Sequence, residues 1–69
     1  MIPPNKLTTR QEQVLSLIAQ GRTDKEIAGL LNIACTTVNF HVREILQTLG
    51  ASSRAHAVAI RFVKGFKRS

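Results

Sequence analysis

The residues best suited to chemistry lie between Cys35 and Leu49. Thr36, Asn39, Phe40, Arg43 and Gln47 recur there at steps of three, one, three and four. At about 100° per residue around a helix they gather on one side within roughly 100°, while Val38, Val42, Ile45 and Leu49 gather opposite within roughly 60°. The second set is a core stripe. The first is a row of hydrogen-bonding groups with one cation, one exposed aromatic and no acid. That composition suits the floor of a DNA major groove. Arg bonds guanine through two donors, Asn bonds adenine, Gln serves either a base or a phosphate, and Phe lies against a thymine methyl. An ordinary solvated helix face is the competing reading, but it must explain both the missing acid and an exposed Phe40.

Other reactive residue types assemble nothing comparable. Cys35 stands at the expected start of the same helix, a position that favours a redox-sensing thiol, but a lone helical Cys reads first as a small residue. His41 falls at the edge of the core stripe and reads as a packed, hydrogen-bonded side chain, and His56 as exposed. Four acids and two histidines yield no Ser/His/Asp set and no paired carboxylates. One Cys with two His has no zinc-site spacing. The expectation is no enzyme, no metal and no cofactor.

The elements that must hold this row are marked by helix punctuation. Thr8 with Gln11 and Thr9 with Glu12 form overlapping capping boxes, and Thr23 with Glu26 forms another. These predict an all-α chain with helices over about 9–20, 24–31, 35–49 and 54–64. The first carries Val14, Leu17 and Ile18 on its apolar face, with Leu15 at the edge, and stops at Gly21. The second presents Ile27, Ala28, Leu30 and Leu31, and Asn32 can adopt a left-handed conformation after it. The third comes after a turn at Asn32-Ile33-Ala34 and ends at Gly50. Ser52 or Ser53 caps the fourth, which ends at Gly65. Two short helices joined by a tight turn suggest a helix-turn-helix. Residues 1–6 read as a linker stub or flexible N-terminus, 7–65 as the domain and 66–69 as a basic tail.

Composition bounds the partner. The chain has 69 residues, ten Lys/Arg against four Asp/Glu, and a formal charge of +6. Residues 1–34 hold four bases and three acids, whereas residues 35–69 hold six bases and one acid. The basic half therefore contains the third and fourth helices and the tail, which points to a polyanion. Aromatic residues make up 4%, with no Trp or Tyr, too few for a base-stacking binder of single strands. No apolar run approaches the roughly 20 residues of a membrane span, and the first residues do not read as a signal peptide. A cytoplasmic protein is expected. A core this small typically supplies only roughly 3–5 kcal/mol, so help from a partner is expected too.

The fourth helix is apolar on two sides. Ala57, Ile60 and Val63 form one, and Ala55, Val58, Ala59 and Phe62 the other, with Arg54 and Arg61 between them. A surface helix needs one such stripe. The second suggests a meeting with another copy of the chain.

The stretch "LTTRQEQVLSLIAQGRTDKEIAGLLNIACTTVNFHVREILQTLGASSRAHAV", Leu7 to Val58, resembles the LuxR/NarL/FixJ, or GerE-type, DNA-binding domains of bacterial regulators. Its blocks match the approximate patterns L-T-x-R-E-x-E-V-L, G-x-S-N-K-E-I-A, T-V-K-x-H and K-L-G-V-x-S-R-x-x-A, in order. The resemblance implies a tetrahelical helix-turn-helix fold, with the third helix reading double-stranded DNA and the fourth dimerising. It implies base contacts at Asn39, Phe40 and Arg43 and backbone contacts at Thr23, Lys25, Thr36 and Thr37, to which the helical wheel adds Gln47. Thr23 also caps a helix, and its hydroxyl cannot fully serve both roles. The resemblance puts Ala57 on the core side and leaves Ala55, Val58, Ala59 and Phe62 for a homodimer, weak or DNA-induced in the isolated domain, on an inverted repeat. It makes RNA polymerase a candidate partner and implies a location at the bacterial nucleoid. The "TVNFH" block is similar to the quorum-sensing branch. Departures are Gln11 for Glu, Asp24 for Asn, Ala34 for Ser, and Asn39 and Thr48 for Lys. Asp24 puts an acid where a phosphate would lie, and with the missing lysines this fits weakened DNA binding and a second function: an interaction or dominant-negative module that pairs with a longer regulator.

Overall fold

The computed structural model describes residues 6–66. The proposed linker residues 1–5 and tail residues 67–69 lie outside them. Four α-helices occur in order: α1 (Thr9–Ala19), α2 (Asp24–Leu31), α3 (Cys35–Leu49) and α4 (Arg54–Phe62), with no strand among the described residues.

The helices begin where side chains can cap them. Thr8 Oγ1 accepts from the Gln11 N–H at 3.1 Å while the Thr8 N–H donates to Gln11 Oε1 at 3.0 Å. Thr23 and Glu26 repeat the exchange at 3.2 and 2.9 Å. Each box satisfies two donors that a helix start leaves without partners. Of the two boxes expected at α1, the first forms. Thr9 becomes the first helical residue, and Glu12 is drawn elsewhere. Gln11, where the resemblance expected Glu, performs the capping role as a neutral acceptor. Ser53 caps α4 by accepting from the His56 N–H at 3.0 Å, and the Ser52 N–H donates to His56 Nδ1 at 3.0 Å. His56 is half-buried and engaged rather than freely exposed. α3 starts at Ala34 with no side-chain cap.

The chain reverses after α2 and α3 by the same device. Asn32 adopts φ 57° and ψ 47°, with the Ile33 N–H bonded to the Ala28 carbonyl at 3.0 Å. Gly50 adopts φ 65°, with the Ala51 N–H bonded to the Leu46 carbonyl at 2.9 Å. Both are Schellman endings, in which a left-handed residue satisfies the last carbonyls. Asn is among the few non-glycine residues that take this conformation readily.

α3 runs through the centre, its Val38, Val42, Ile45 and Leu49 buried among Leu7, Val14, Leu15, Ile27, Ala28 and Ala57. Every pair of helices packs directly except α2 and α4. Several expectations shift. α1 ends at Ala19, with Gln20 as its cap. Leu15 is fully buried and Leu17 only partly, because α1 turns its Val14–Leu15 edge inward to meet α3 and α4 together. Leu30 is 59% exposed rather than part of the apolar side of α2. α4 stops at Phe62, two residues early. Val63 is extended (φ −88°, ψ 114°) and 52% exposed, so a further turn would have had no core to pack against.

Candidate nucleic-acid interface

Burial of Val38, Val42, Ile45 and Leu49 fixes the rotation of α3 about its axis. The opposite face is thereby committed to solvent: Thr36, Asn39, Phe40, Arg43 and Gln47 are all exposed, and Thr37 is half-buried. Phe40, 58% exposed, makes an edge-type contact with the His41 ring, with centroids 6.1 Å apart and planes inclined at 61°. His41 is half-buried, and this ring contact, rather than a hydrogen bond, is its observed interaction. Among the described residues Arg43 has no ion-pair partner. A free guanidinium and an amide stand side by side on a helix that cannot turn them inward. Such groups are available to base edges.

The N-terminus of α2 forms a second polar edge. Thr23 and Lys25 are exposed there, and Arg22 precedes them. Thr23 Oγ1 is a hydrogen-bond acceptor within its cap, which leaves the hydroxyl hydrogen to donate. Capping and phosphate binding are thus compatible at Thr23, contrary to the conflict expected from sequence. Asp24 is not the free acid that the sequence suggested. Arg54 Nη1 donates to its Oδ1 at 2.5 Å and Nη2 to its Oδ2 at 2.9 Å. These forked bonds hold the Asp24 carboxyl below its usual range, against the opposing pull of partial burial, and the same bonds raise Arg54. The pair joins α2 and α4, which do not otherwise pack on each other among the described residues, so it is a direct side-chain tie between them.

Arg61, the other cation expected between the two stripes of α4, bonds Glu12 of α1 through Nε at 3.0 and 3.1 Å. Its guanidinium carbon also lies 5.3 Å from the Phe62 ring centroid. Neither pairing was visible in sequence, because no local spacing signals a partner 30 or 49 positions away. On α4 itself Ala57 is buried, Ala55 is exposed, Ala59 is half-buried, and Phe62 is 44% exposed. Val58 is half-buried and packs on the core, so the outer stripe gives up part of its surface to the domain. Cys35 is exposed at the first position of α3. Among the described residues no group of three His, Cys, Asp or Glu could hold a metal, and no helix is long and apolar enough to cross a membrane.

The chain is similar to known proteins. The family described as "Bacterial regulatory proteins, luxR family" matches residues 5–61. Among curated relatives, the HTH-type transcriptional regulators MalT of two Klebsiella pneumoniae strains are each 43% identical over 58 residues. MalT of Cronobacter sakazakii shares the same identity over the same length. Each match covers 84% of this chain but 6% of the relative, so the chain spans a small fraction of the proteins it resembles.

Proposed function

The chain belongs to the LuxR family of bacterial regulatory proteins, whose helix-turn-helix binds DNA in transcription regulation, and on that premise we propose a sequence-specific, double-stranded DNA-binding domain that reads the major groove with α3. The carrying observation is the exposed face of α3, where Asn39, Phe40 and Arg43 face solvent opposite a buried stripe. In this reading those three residues meet base edges. Thr36, Thr37 and Gln47 on α3, with Thr23 and Lys25 on α2, hold phosphates and fix register.

Pairing through α4 completes the proposal. Ala55, Ala59, Phe62 and the outer part of Val58 form the patch that meets a second copy. A patch of this size falls well short of a stable interface, so the isolated domain pairs weakly in solution and more firmly on DNA. Two copies of α3 would then sit about 34 Å apart on an inverted repeat. The alternative, a module that silences a longer regulator by pairing with it, draws on Asp24 as an acid opposing phosphate and on the lysines missing at Asn39 and Thr48. The bond to Arg54 means that Asp24 is not a free acid, while Asn39 and Thr48 still stand where the resemblance expects lysines.

The test is a mobility-shift titration on promoter fragments and on mixed-sequence duplex over a salt series. Selective shifts that weaken with salt support the reading, because neutralised phosphates release counterions. Arg43→Ala or Asn39→Ala should then reduce discrimination between sites by about 1–3 kcal/mol. Equal losses on both DNAs would assign those residues to backbone contact. No shift at low salt on any fragment would overturn the proposal.

A further inference from the structure

The Arg54–Asp24 pair sits at the polar edge formed by the start of α2. Asp24 lies between Thr23 and Lys25, both exposed, and Arg22 is exposed one residue earlier. Arg54 arrives from α4, a helix that does not otherwise pack on α2. Its side chain keeps 40% exposure and that of Asp24 29%. Two of the five guanidinium donors are used in the fork, and three are left. Arg54 thus joins Arg22 and Lys25 as a third cation at this edge, and it is already neutralised by the one acid placed between them.

We propose that Asp24 limits the affinity of the domain for DNA by withholding Arg54 from the phosphate backbone. A phosphate seated at Thr23 and Lys25 approaches a guanidinium whose charge is already shared with a carboxylate. It must either share that guanidinium or displace Asp24. The pair therefore competes with DNA for one cation, and the competition links the base of α4 to the phosphate edge of α2. The inference rests on the proposed placement of that edge against phosphate.

The experiment measures binding of the full chain to a short mixed-sequence duplex from about 50 to 200 mM salt, with thermal melts of every variant. Asp24→Asn should tighten binding at low salt and steepen the plot of log affinity against log salt by about 0.9. That is roughly a further threefold loss of affinity across the fourfold salt range, the mark of one more phosphate contact. The steepening should disappear in Asp24→Asn/Arg54→Gln. If it persists there, loss of the acid alone is responsible and the inference is overturned, as it is if Asp24→Asn leaves the slope unchanged. Arg54→Gln alone, which leaves Asp24 unpaired at the edge, should weaken binding. Unchanged affinity in that variant overturns the inference even if Asp24→Asn does not fold. Lys25→Ala separates the two levels. If it fails to flatten the slope, the edge does not face phosphate and the underlying reading falls. If it flattens the slope while Asp24→Asn does not steepen it, the inference alone falls.

Discussion

Arg61 on α4 reaches back 49 positions to Glu12 on α1 and donates a single Nε–H to both carboxylate oxygens, at 3.0 and 3.1 Å. The two side chains are 45% and 36% exposed. One shared donor at a wet surface is weaker than a two-nitrogen fork, and exposed pairs contribute about 0.2–1 kcal/mol. Glu12→Gln should therefore lower stability by less than about 1 kcal/mol in urea unfolding. The difference should fade in about 1 M salt, where screening acts over roughly 3 Å. A larger loss that ignores salt would mean that the contact orders α4 rather than merely decorating it.

The Asp24–Arg54 fork predicts a different signature, in pH. The carboxyl is lowered from its ordinary value of 3.8 chiefly by the hydrogen bonds from Arg54. A group with a depressed folded pKa stabilises the fold fully above its unfolded value. It loses that contribution as pH falls through the folded value. Wild type should thus exceed Asp24→Asn in melting temperature at neutral pH. The gap should close below about pH 4 as the carboxyl protonates. A constant gap down to the acid limit would show that the charge of Asp24 is not what stabilises the fold.

What could be read from sequence divides by distance along the chain. The Thr8/Gln11 and Thr23/Glu26 boxes close within three residues, so their spacing alone reveals them. The buried stripe of α3 is legible for a similar reason. Val38, Val42, Ile45 and Leu49 repeat with the helical period, and burying them exposes Asn39, Phe40 and Arg43 without further information. The partners of Arg54 and Arg61 on the fourth helix were not legible. They depend on how helices cross, which no local pattern encodes. The exchange of Leu15 for Leu17 in the core has the same origin, since α1 faces two neighbours at an angle set by packing. Val63 failed because periodicity continues past the point where there is a core to meet.

The start of α3 offers a gain in stability. Ala34 has the extended backbone of a cap, φ −75° and ψ 153°, but no side-chain acceptor. Ala34→Ser would supply one for the orphan N–H groups of the first turn without moving the backbone. It should stabilise the domain by about 1 kcal/mol, or about 4–8 °C in melting temperature for a domain of this size. No gain in a thermal melt would indicate that those N–H groups are already served, that of Thr37 by the Ala34 carbonyl at 3.0 Å and the others by water.

Thr23 allows its two roles to be separated. Its Oγ1 accepts from the Glu26 N–H at 3.2 Å, so capping needs an acceptor. A phosphate contact would use the hydroxyl hydrogen, so it needs a donor. Thr23→Asp keeps the acceptor, removes the donor and adds a negative charge. Asp caps helices about as well as Thr or better, and its charge suits the positive end of α2. Thr23→Ala removes both functions and should cost about 1 kcal/mol of stability. The expected pattern is that Thr23→Ala melts lower than wild type, whereas Thr23→Asp melts at or above it. Both should bind mixed-sequence duplex more weakly than wild type, and Thr23→Asp the more weakly of the two, because a carboxylate repels phosphate where a hydroxyl would donate. If Thr23→Asp instead binds duplex as well as wild type, no phosphate sits at this residue, and Thr23 serves the helix alone.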